Sequence, residues 1–213
     1  MESIIETAFF IGKGVWLTLS LFVMSFILSW FLGSIMAISL HYKKMIKPIK
    51  IFISIFRGTP LILQLSFFYF VIPRFLFFRP SLFWASSFAL ALNGSAYVTE
   101  ILRSGLESLP IGQFEAIKSL YIPRFYAWKD LILPQVIRNV FPSITNYSVA
   151  LIKETSLISI LGGMDITRLF QVISARDFTY FVPLCIAGSY YYILVILIEF
   201  FSDKIGKKFY VEH

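Results

Sequence analysis

Residues 112–134 have the sequence GQFEAIKSLYIPRFYAWKDLILP, and this stretch decides how the rest of the chain is arranged. It is a polar, basic segment with helix-forming residues, and it lies between strongly apolar runs. Pro110 and Gly112 end the apolar run before it, because proline lacks an N–H and glycine is flexible. Glu115 lies in the first turn of a predicted short helix over 113–120, where a carboxylate favours the positive end of the helix dipole.

The second half of the segment predicts another short helix. The 121–123 triplet interrupts the first helix, since proline disfavours helical backbone at the residue before it. A second helix is expected from about Arg124 to Leu133, with a bend toward the next apolar run at Pro134. We expect the two helices to form a rigid knob that presents Phe114, Ile117, Phe125 and Trp128. Two interpretations stay open from these residues alone: docking against a soluble partner, or an amphipathic hairpin lying on lipid headgroups.

The composition around this segment is that of a membrane protein. The chain has 213 residues, of which 58% are hydrophobic and only 15% charged, and its mean hydropathy is +0.79. Soluble domains carry about a quarter charged residues, so a lipid bilayer suits this chain better. The single cysteine, Cys185, excludes an internal disulfide and any multi-cysteine metal site. The net charge of +7 comes from lysines and arginines in short clusters between apolar runs, which indicates membrane topology instead of nucleic-acid binding.

The apolar runs predict an all-α, polytopic membrane protein made of one domain over residues 1–213. A bilayer core about 30 Å thick needs roughly 20 apolar residues for each helix that crosses it. Five segments meet this requirement, and they are approximately 15–40, 51–72, 81–102, 140–161 and 180–201. The first run is too long for a cleavable signal peptide and leads into basic residues, so we interpret it as a retained span.

The distribution of lysine and arginine predicts the orientation of these spans. One set of connections carries thirteen basic residues: Lys43, Lys44, Lys47, Lys50, Arg57, Arg103, Lys118, Arg124, Lys129, Arg138, Lys204, Lys207 and Lys208. The opposite set carries five: Lys13, Arg74, Arg79, Arg168 and Arg176. The N-terminus is therefore expected outside, and the C-terminus and the 112–134 segment in the cytoplasm. Five spans are few for enclosing a solute pathway, which favours pairing with a second subunit.

Several polar residues fall inside the predicted spans. Lys153 and Glu154 lie well inside the fourth span, followed by Thr155 and Ser156. Intramembrane charges cost about 2–3 kcal/mol each on insertion scales, and they commonly face a bundle interior or a wet cavity. Adjacent helical residues point about 100° apart, so one charge is expected to line a pathway while the other pairs with a neighbouring helix. The alternative is that both only tie helices together.

The cytoplasmic end of the second span contains the sequence Arg57-Gly58-Thr59-Pro60, with Gln64 shortly after it. Gly58 and Pro60 predict a kink that frees backbone carbonyls, and those carbonyls need partners. Gate or pathway lining and snorkelling of Arg57 to lipid phosphate are both consistent with this pattern.

Two further polar features belong to the third span. Glu100 and Arg103 are spaced to pair with each other on one helix. Asn93 is expected to make a hydrogen bond between helices.

The chain lacks the residue sets of other function classes. It has no HExxH, GxSxG or GxxxxGK[ST] motif and only two histidines, so we expect no catalytic residue, no metal, no cofactor and no ATP hydrolysis by this chain. A secondary transporter or channel subunit remains an alternative, although no internal repeat of the kind common in secondary transporters is visible.

Four segments, in order, resemble the polar amino-acid branch of the permease subunits of ABC importers. They are RGTPLILQ at 57–64, AYVTEILRSG at 96–105 running into Gly112-Gln113, the segment with Glu115-Ala116, Arg124 and Leu133-Pro134-Gln135, and LIKETSL at 151–157. The third is similar to the cytoplasmic "EAA" loop of that family, and the resemblance covers nearly the whole chain. One departure concerns Tyr121, where the family usually has glycine, and tyrosine adopts a left-handed backbone less easily. A second is Ile117, where the family usually has alanine.

The resemblance implies a permease of the bacterial inner membrane that forms a pore with a second, identical or paralogous, permease. Its implied partners are two cytoplasmic ATPase subunits and an extracytoplasmic binding protein that delivers a polar amino acid; a permease for another small solute is the alternative. The implied ATPase-coupling residues are Gly112, Glu115, Ala116, Tyr121, Arg124 and Pro134. The residues expected at the substrate pathway or gate are Arg57, Thr59, Pro60, Gln64, Lys153, Glu154, Thr155 and Ser156.

Overall fold

The computed structural model describes residues 4–76 and 78–210, and within them the chain is helical without a β-strand. The sequence predicts a cytoplasmic C-terminus, and its last residues, 211–213, lie outside the described residues. The helices are α1 (Ile4–Gly12), α2 (Gly14–His41), α3 (Ile46–Gly58), α4 (Leu61–Ser66), α5 (Ile72–Leu76), α6 (Leu82–Glu107), α7 (Ile111–Ser119), α8 (Arg124–Tyr126), α9 (Leu133–Glu154), α10 (Ile166–Asp177) and α11 (Phe181–Tyr210). A π-helical segment, Phe67–Val71, joins α4 to α5, and another, Ala127–Ile132, joins α8 to α9. A 3-10 helix, Thr155–Leu161, continues α9.

The centre of the fold is the packing of α2 against α6, which rests on small side chains. Buried positions of α2 recur at almost every fourth residue and are Gly14, Thr18, Leu21, Ser25, Ser29, Gly33 and Ala37. Small residues spaced by four let two helix backbones approach closely in a membrane. Ser25 donates a hydrogen bond to the Ser87 carbonyl at 3.4 Å, and Thr99 donates to the Gly33 carbonyl at 3.3 Å. Together these contacts hold α6 in the interior of the bundle.

Fewer helices of the structure are long and apolar enough to cross a membrane than the five spans that the sequence predicts. Within the described residues, the runs Ile4–His41 and Phe181–Lys207 are long and apolar enough to cross a membrane, and two bent helix pairs raise the number to four. Helix α6 contains the predicted third span but is rich in small and polar residues, because its neighbours enclose it. The expected total of five spans and the expected orientation stay predictions.

Two predicted spans have different bounds in the structure. The first helical run begins at Ile4 instead of residue 15, because residues 4–12 are themselves apolar and helical. The second predicted span, 51–72, is not one helix: α3 and the Leu61–Phe75 run meet at an angle of 106°. The break lies at Thr59 and Pro60, where both residues have extended backbone.

Candidate functional site

Helix α7 forms an exposed element at the end of α6. Pro110 precedes α7 with extended backbone and so separates it from α6. No residue of α7 is buried. Gly112, Glu115 and Ala116 are exposed, and their spacing of three and four puts them on one face of the helix. Three of the predicted coupling residues therefore share one exposed surface.

The turn after α7 contains a tyrosine in a left-handed conformation. Tyr121 has φ of 53° and is 92% exposed. Its N–H donates to the Lys118 carbonyl at 3.1 Å, and the Ile122 N–H donates to the Ile117 carbonyl at 3.2 Å. These two bonds define a Schellman motif, in which the position of Tyr121 is usually glycine. Tyrosine is expected to adopt this backbone at a higher free-energy cost than glycine does. The structure shows that the turn nevertheless forms with tyrosine in place.

The inner face of the segment packs on the start of α9. Phe114, Ile117 and Trp128 are partly buried against an apolar cluster formed by Leu109, Ile132, Val136 and Val140. The prediction that all four large side chains are presented outward is therefore wrong for these three, since burying them stabilises a segment with little other apolar contact. Phe125 is 68% exposed, as expected.

The second half of the segment joins α9 without a bend at Pro134. Arg124 is exposed and begins α8, and helical backbone then runs continuously from Arg124 to Leu161. Pro134 lies inside this run, just after the π-helical segment, and the helix continues through it. The predicted bend at Pro134 is therefore wrong, and the π-helical segment Ala127–Ile132 occupies the place of the predicted second short helix.

The break between α3 and α4 is closed by two buried amides. The Gln64 side-chain amide donates to the Phe56 carbonyl at 2.9 Å and to the Thr59 hydroxyl at 2.8 Å. Asn93 of α6 donates to the same Phe56 carbonyl at 2.9 Å and to the Gln64 Oε1 at 3.0 Å. These bonds satisfy the carbonyl that the kink frees, and they confirm the hydrogen bond expected from Asn93. Gln64 is buried, so in the single chain its side chain supports the break and does not face a solute; Thr59 and Pro60 are exposed beside it.

Charged residues from α3 and α6 meet near the C-terminal ends of these helices. Arg103 contacts the Glu100 carboxylate, with 2.7 Å between Nη2 and Oε2, which confirms the expected pair. Arg103 also pairs with Glu107. Arg57 lies 3.9 Å from Glu100 and stacks on the Tyr97 ring, with 5.3 Å between the guanidinium carbon and the ring centre. Arg57 is thus held by protein groups, which leaves it less free to snorkel to lipid.

The polar residues at the end of α9 separate into exposed and buried ones. Lys153 is exposed, Glu154 and Ser156 are half-buried, and Thr155 is fully buried. The Thr155 hydroxyl donates to the Ile152 carbonyl at 2.7 Å, so in the single chain it does not face a pathway. The 3-10 helix that Thr155 begins packs against α4, which brings the two predicted pathway groups to neighbouring elements.

A polar stripe on α9 escaped the sequence analysis. Exposed polar or small residues follow one another at spacings of three and four along this helix: Asn139, Ser143, Asn146, Ala150 and Lys153. Asn139 and Ser143 also line a cavity between α6 and α9 together with Arg57, Tyr97, Glu100 and Arg103. Counting polar residues at the helical period over 139–153 would have found this stripe, because it is the polar counterpart of an amphipathic pattern.

Comparisons with known proteins agree on one kind of molecule. Residues 29–209 match the family model described as binding-protein-dependent transport system inner membrane component. A putative glutamine transport system permease protein, GlnP, of Rickettsia conorii is 44% identical over 207 residues, which are 95% of this chain and 94% of that protein. The arginine transport system permease protein ArtQ of Bacillus subtilis is 37% identical over 201 residues, covering 93% and 92% of the two chains.

Solved structures give the same result for the fold. A chain from the crystal structure of an amino acid ABC transporter with histidines superposes with a TM-score of 0.84 at 30% identity, covering 96% of both chains. A chain of the MetNI methionine ABC transporter in an inward-facing conformation superposes with a TM-score of 0.78 at 18% identity.

Proposed function

The chain belongs to the family of inner membrane components of binding-protein-dependent transport systems, and from this premise we propose that it is the permease subunit of an ATP-driven amino-acid importer. The observation that carries the proposal is the exposed face of α7, a polar helix whose other face, with Phe114 and Ile117, packs on the end of the bundle. Relatives named as glutamine and arginine permeases support an amino acid as the solute. The chain is a transport component, and hydrolysis of ATP belongs to a separate subunit.

The proposed topology has five spans, with the N-terminus outside and the C-terminus in the cytoplasm of a bacterial cell. A contact between two basic connections supports it: the His41 and Trp128 rings meet edge to face, with 5.0 Å between their centres. The connection after α2 and the α7–α9 segment therefore lie at the same end of the molecule. Both carry the lysines and arginines that favour the cytoplasmic side.

The proposed partners follow from the family and from the exposed surfaces. Residues 112–134 form the proposed coupling segment. Two ATPase subunits bind the coupling segments of two permeases, which are either two copies of this chain or this chain and a paralogue. An extracytoplasmic binding protein delivers a polar amino acid to the outer side. Gly112, Glu115, Ala116, Tyr121 and Arg124 form the ATPase-docking surface, and Pro134 lies in α9 behind it.

The coupling mechanism that we propose uses the continuity of α9. Closure of the ATPase subunits on ATP displaces the α7 surface, and the apolar contacts of Phe114, Ile117 and Trp128 pass this displacement to the start of α9. Since the helical run from Arg124 to Leu161 has no sharp bend, its far end moves with it. Lys153 and Ser156 lie near that far end, so the movement changes access to the pathway.

The proposed pathway follows the polar stripe of α9. Its inner end is the cavity lined by Arg57 and the neighbouring charged residues, and its further end is Lys153 with Glu154 and Ser156. A solute with an α-carboxylate finds a complementary charge at the exposed Lys153, while the half-buried Glu154 points about 100° away and is placed to pair with a neighbouring element or subunit. Thr59 and Pro60 belong to the break that borders this route, while Gln64 and Thr155 support it from the buried side.

Charge reversal in the coupling segment tests the docking surface. We expect the Glu115→Lys and Arg124→Glu variants of the permease to insert into the membrane and assemble normally. Both variants should lose solute-stimulated ATPase activity. Asp203→Lys and Lys204→Glu, which reverse exposed charges near the end of α11, serve as matched controls and should keep that activity. Normal stimulated activity in both coupling variants would contradict the proposal and favour a hairpin that lies on lipid.

The energy source separates an importer of this class from a secondary transporter. Affinity purification of the chain in mild detergent should yield a soluble ATPase subunit. When the purified complex is placed in proteoliposomes, solute uptake should require ATP on the side of the membrane that the ATPase subunits face. Uptake should continue when no ion gradient is present. Uptake that follows an ion gradient without ATP would overturn the proposed function.

A further inference from the structure

A second cavity lies between the inner ends of α2, α3 and α6 and is separate from the proposed pathway. Its volume is about 750 Å³. One part of its wall is apolar and consists of Ala37, Leu40, Ile46, Ile53 and Leu106. The other part is polar and consists of His41, Lys43, Lys50, Glu100, Arg103 and Glu107. A cavity with an apolar wall and a charged mouth at the end of membrane helices is complementary to a lipid, which has an apolar acyl chain and a charged headgroup.

The charges at the mouth do not cancel locally. Arg103 pairs with both carboxylates, Glu100 and Glu107, and Arg57 lies near Glu100 from outside the cavity. Within the part of the chain that the structure describes, neither Lys43 nor Lys50 has a carboxylate within the 4 Å of an ion pair. Lys50 interacts electrostatically with Glu100 across the cavity, yet Lys43, Lys50 and Arg103 outnumber the two carboxylates, so the mouth keeps a positive charge that an anionic group can neutralise.

The first lysine, Lys43, lies in a tight turn between α2 and α3. Lys43 has φ of 56°, and its N–H donates to the Leu40 carbonyl at 3.0 Å. The Lys44 N–H donates to the Ser39 carbonyl at 2.8 Å, which completes a Schellman motif at the end of α2. This turn leads the chain from α2 into α3 across the mouth of the cavity.

The second lysine lies on a helix suited to the membrane surface. Helix α3 lies at 106° to the following run, and its apolar residues Ile49 and Ile53 are buried. Its polar side carries Lys47, Lys50, Ser54 and Arg57 at spacings of three and four. A short helix with a basic face and an apolar face lies at the boundary between headgroups and acyl chains.

We propose that this cavity is a binding site for an anionic phospholipid of the inner leaflet. The ammonium groups of Lys43 and Lys50 bind the phosphate, and an acyl chain covers the apolar wall formed by Ala37, Leu40 and Ile53. Basic cavities between helices on the cytoplasmic side bind acidic headgroups by this chemistry. The apolar wall favours a lipid over a free phosphate ion, which would use the lysines alone. The proposal rests on the proposed topology, which puts this cavity on the cytoplasmic side of the membrane, and not on the identity of the imported solute.

Native mass spectrometry of the purified complex tests the site. The complex is taken from nanodiscs that contain equal amounts of phosphatidylglycerol and phosphatidylethanolamine, and the lipids that remain bound are identified. We expect the wild type to retain phosphatidylglycerol selectively. The Lys43→Gln and Lys50→Gln variants should each lose roughly fivefold in retention, the effect of one basic residue near an anionic headgroup.

A matched double variant separates this site from general surface charge. Lys47→Gln combined with Lys118→Gln removes the same charge from exposed residues that do not line the cavity. It should retain phosphatidylglycerol as the wild type does, whereas Lys43→Gln combined with Lys50→Gln should not. Equal retention by the two double variants would overturn the proposal, as would equal retention of both phospholipids by the wild type. Displacement of the lipid by millimolar inorganic phosphate would overturn it as well, because the site would then bind phosphate without regard to the acyl chain.

Discussion

Gly94 is the residue at which three helices come closest. A Cβ atom at this position would lie 1.9 Å from the Tyr147 hydroxyl of α9 and 2.3 Å from the Ser29 hydroxyl of α2. Those two hydroxyls are themselves bonded, with Tyr147 donating to Ser29 at 2.9 Å. The absence of a side chain at Gly94 of α6 therefore leaves the space in which α9 and α2 form this hydrogen bond.

We expect Gly94→Ala to lower the free energy of unfolding by about 1–3 kcal/mol, the usual cost of overpacking. The physical reason is that the buried Tyr147 ring has to move and give up its bond to Ser29. Thermal unfolding of the purified protein measures the effect, and Gly188→Ala is the control because nothing lies within 4 Å of its added Cβ. Combining Gly94→Ala with Tyr147→Phe should recover part of the loss. A Gly94→Ala variant as stable as Gly188→Ala would contradict this account.

Tyr121 determines the cost of the coupling turn. A left-handed conformation costs an L-residue about 1–2 kcal/mol relative to the right-handed one, and β-branched residues tolerate it least. We expect Tyr121→Gly to keep the turn and the bound ATPase subunit, and Tyr121→Val to weaken ATPase retention in co-purification. Comparison of the two variants isolates the backbone, because both remove the exposed aromatic ring. If Tyr121→Gly loses the ATPase as fully as Tyr121→Val does, the ring itself is the contact and the backbone is not the cause.

At the scale of elements, the break between α3 and α4 depends on an amide pair. We expect Asn93→Leu and Gln64→Leu each to cost about 1–3 kcal/mol of stability, because each leaves a buried polar group without a partner. The double variant should cost less than the sum, with a coupling energy of about 0.5–3 kcal/mol, since both amides serve the same carbonyl. Thermal unfolding of the wild type, the two single variants and the double variant completes this double-mutant cycle. Gln171→Leu, which changes an amide without a hydrogen bond among the described residues, is the control, and strict additivity would contradict the shared site.

The break also shows how far the sequence predicts the elements. Gly58 and Pro60 predict a kink with free carbonyls, and the structure has one at that point. The angle of 106° does not follow from those residues, because it depends on Asn93, which reaches the Phe56 carbonyl from a helix distant in sequence. Hydropathy alone therefore joins α3 to the following run as one span, although α3 carries a basic stripe that a period of 3.6 would have revealed.

In the coupling segment as well, local sequence predicts some features, while others depend on residues from another helix. Local rules predict a helix, an interruption at 121–123 and a second helical start at Arg124, and all three are present. The rules do not predict that Trp128 turns inward, because its ring partner His41 comes from α2 and the cluster it packs on includes Leu109 from before α7. The predicted bend at Pro134 fails because the helical run from Arg124 to Leu161 continues through this proline, and the π-helical segment Ala127–Ile132 just before it is the kind of local adjustment that accommodates a proline within a membrane helix.

At the scale of the whole molecule, α6 separates two cavities that open near the same end. Glu100 and Arg103 line both of them, so their ion pair forms part of the wall between the proposed pathway and the proposed lipid site. The pathway side continues into the polar stripe of α9, while α11 exposes apolar residues such as Ile193 and Leu197. A single chain thus has one long surface suited to water or a partner and another suited to lipid.

Thiol labelling distinguishes these two surfaces. In a Cys185→Ser background, which removes the single cysteine of the chain, we expect Asn146→Cys to react with a hydrophilic maleimide about tenfold faster than Ile193→Cys, because a thiolate forms readily only in a hydrated environment. Position 146 lies in the middle of the exposed α9 stripe, and position 193 is 53% exposed on the apolar side of α11. Labelling of the assembled complex in proteoliposomes should also slow for Asn146→Cys when the transported amino acid and its binding protein are present. Equal rates for the two variants would mean that the α9 stripe faces lipid, and the pathway would then have to lie on another surface of the chain.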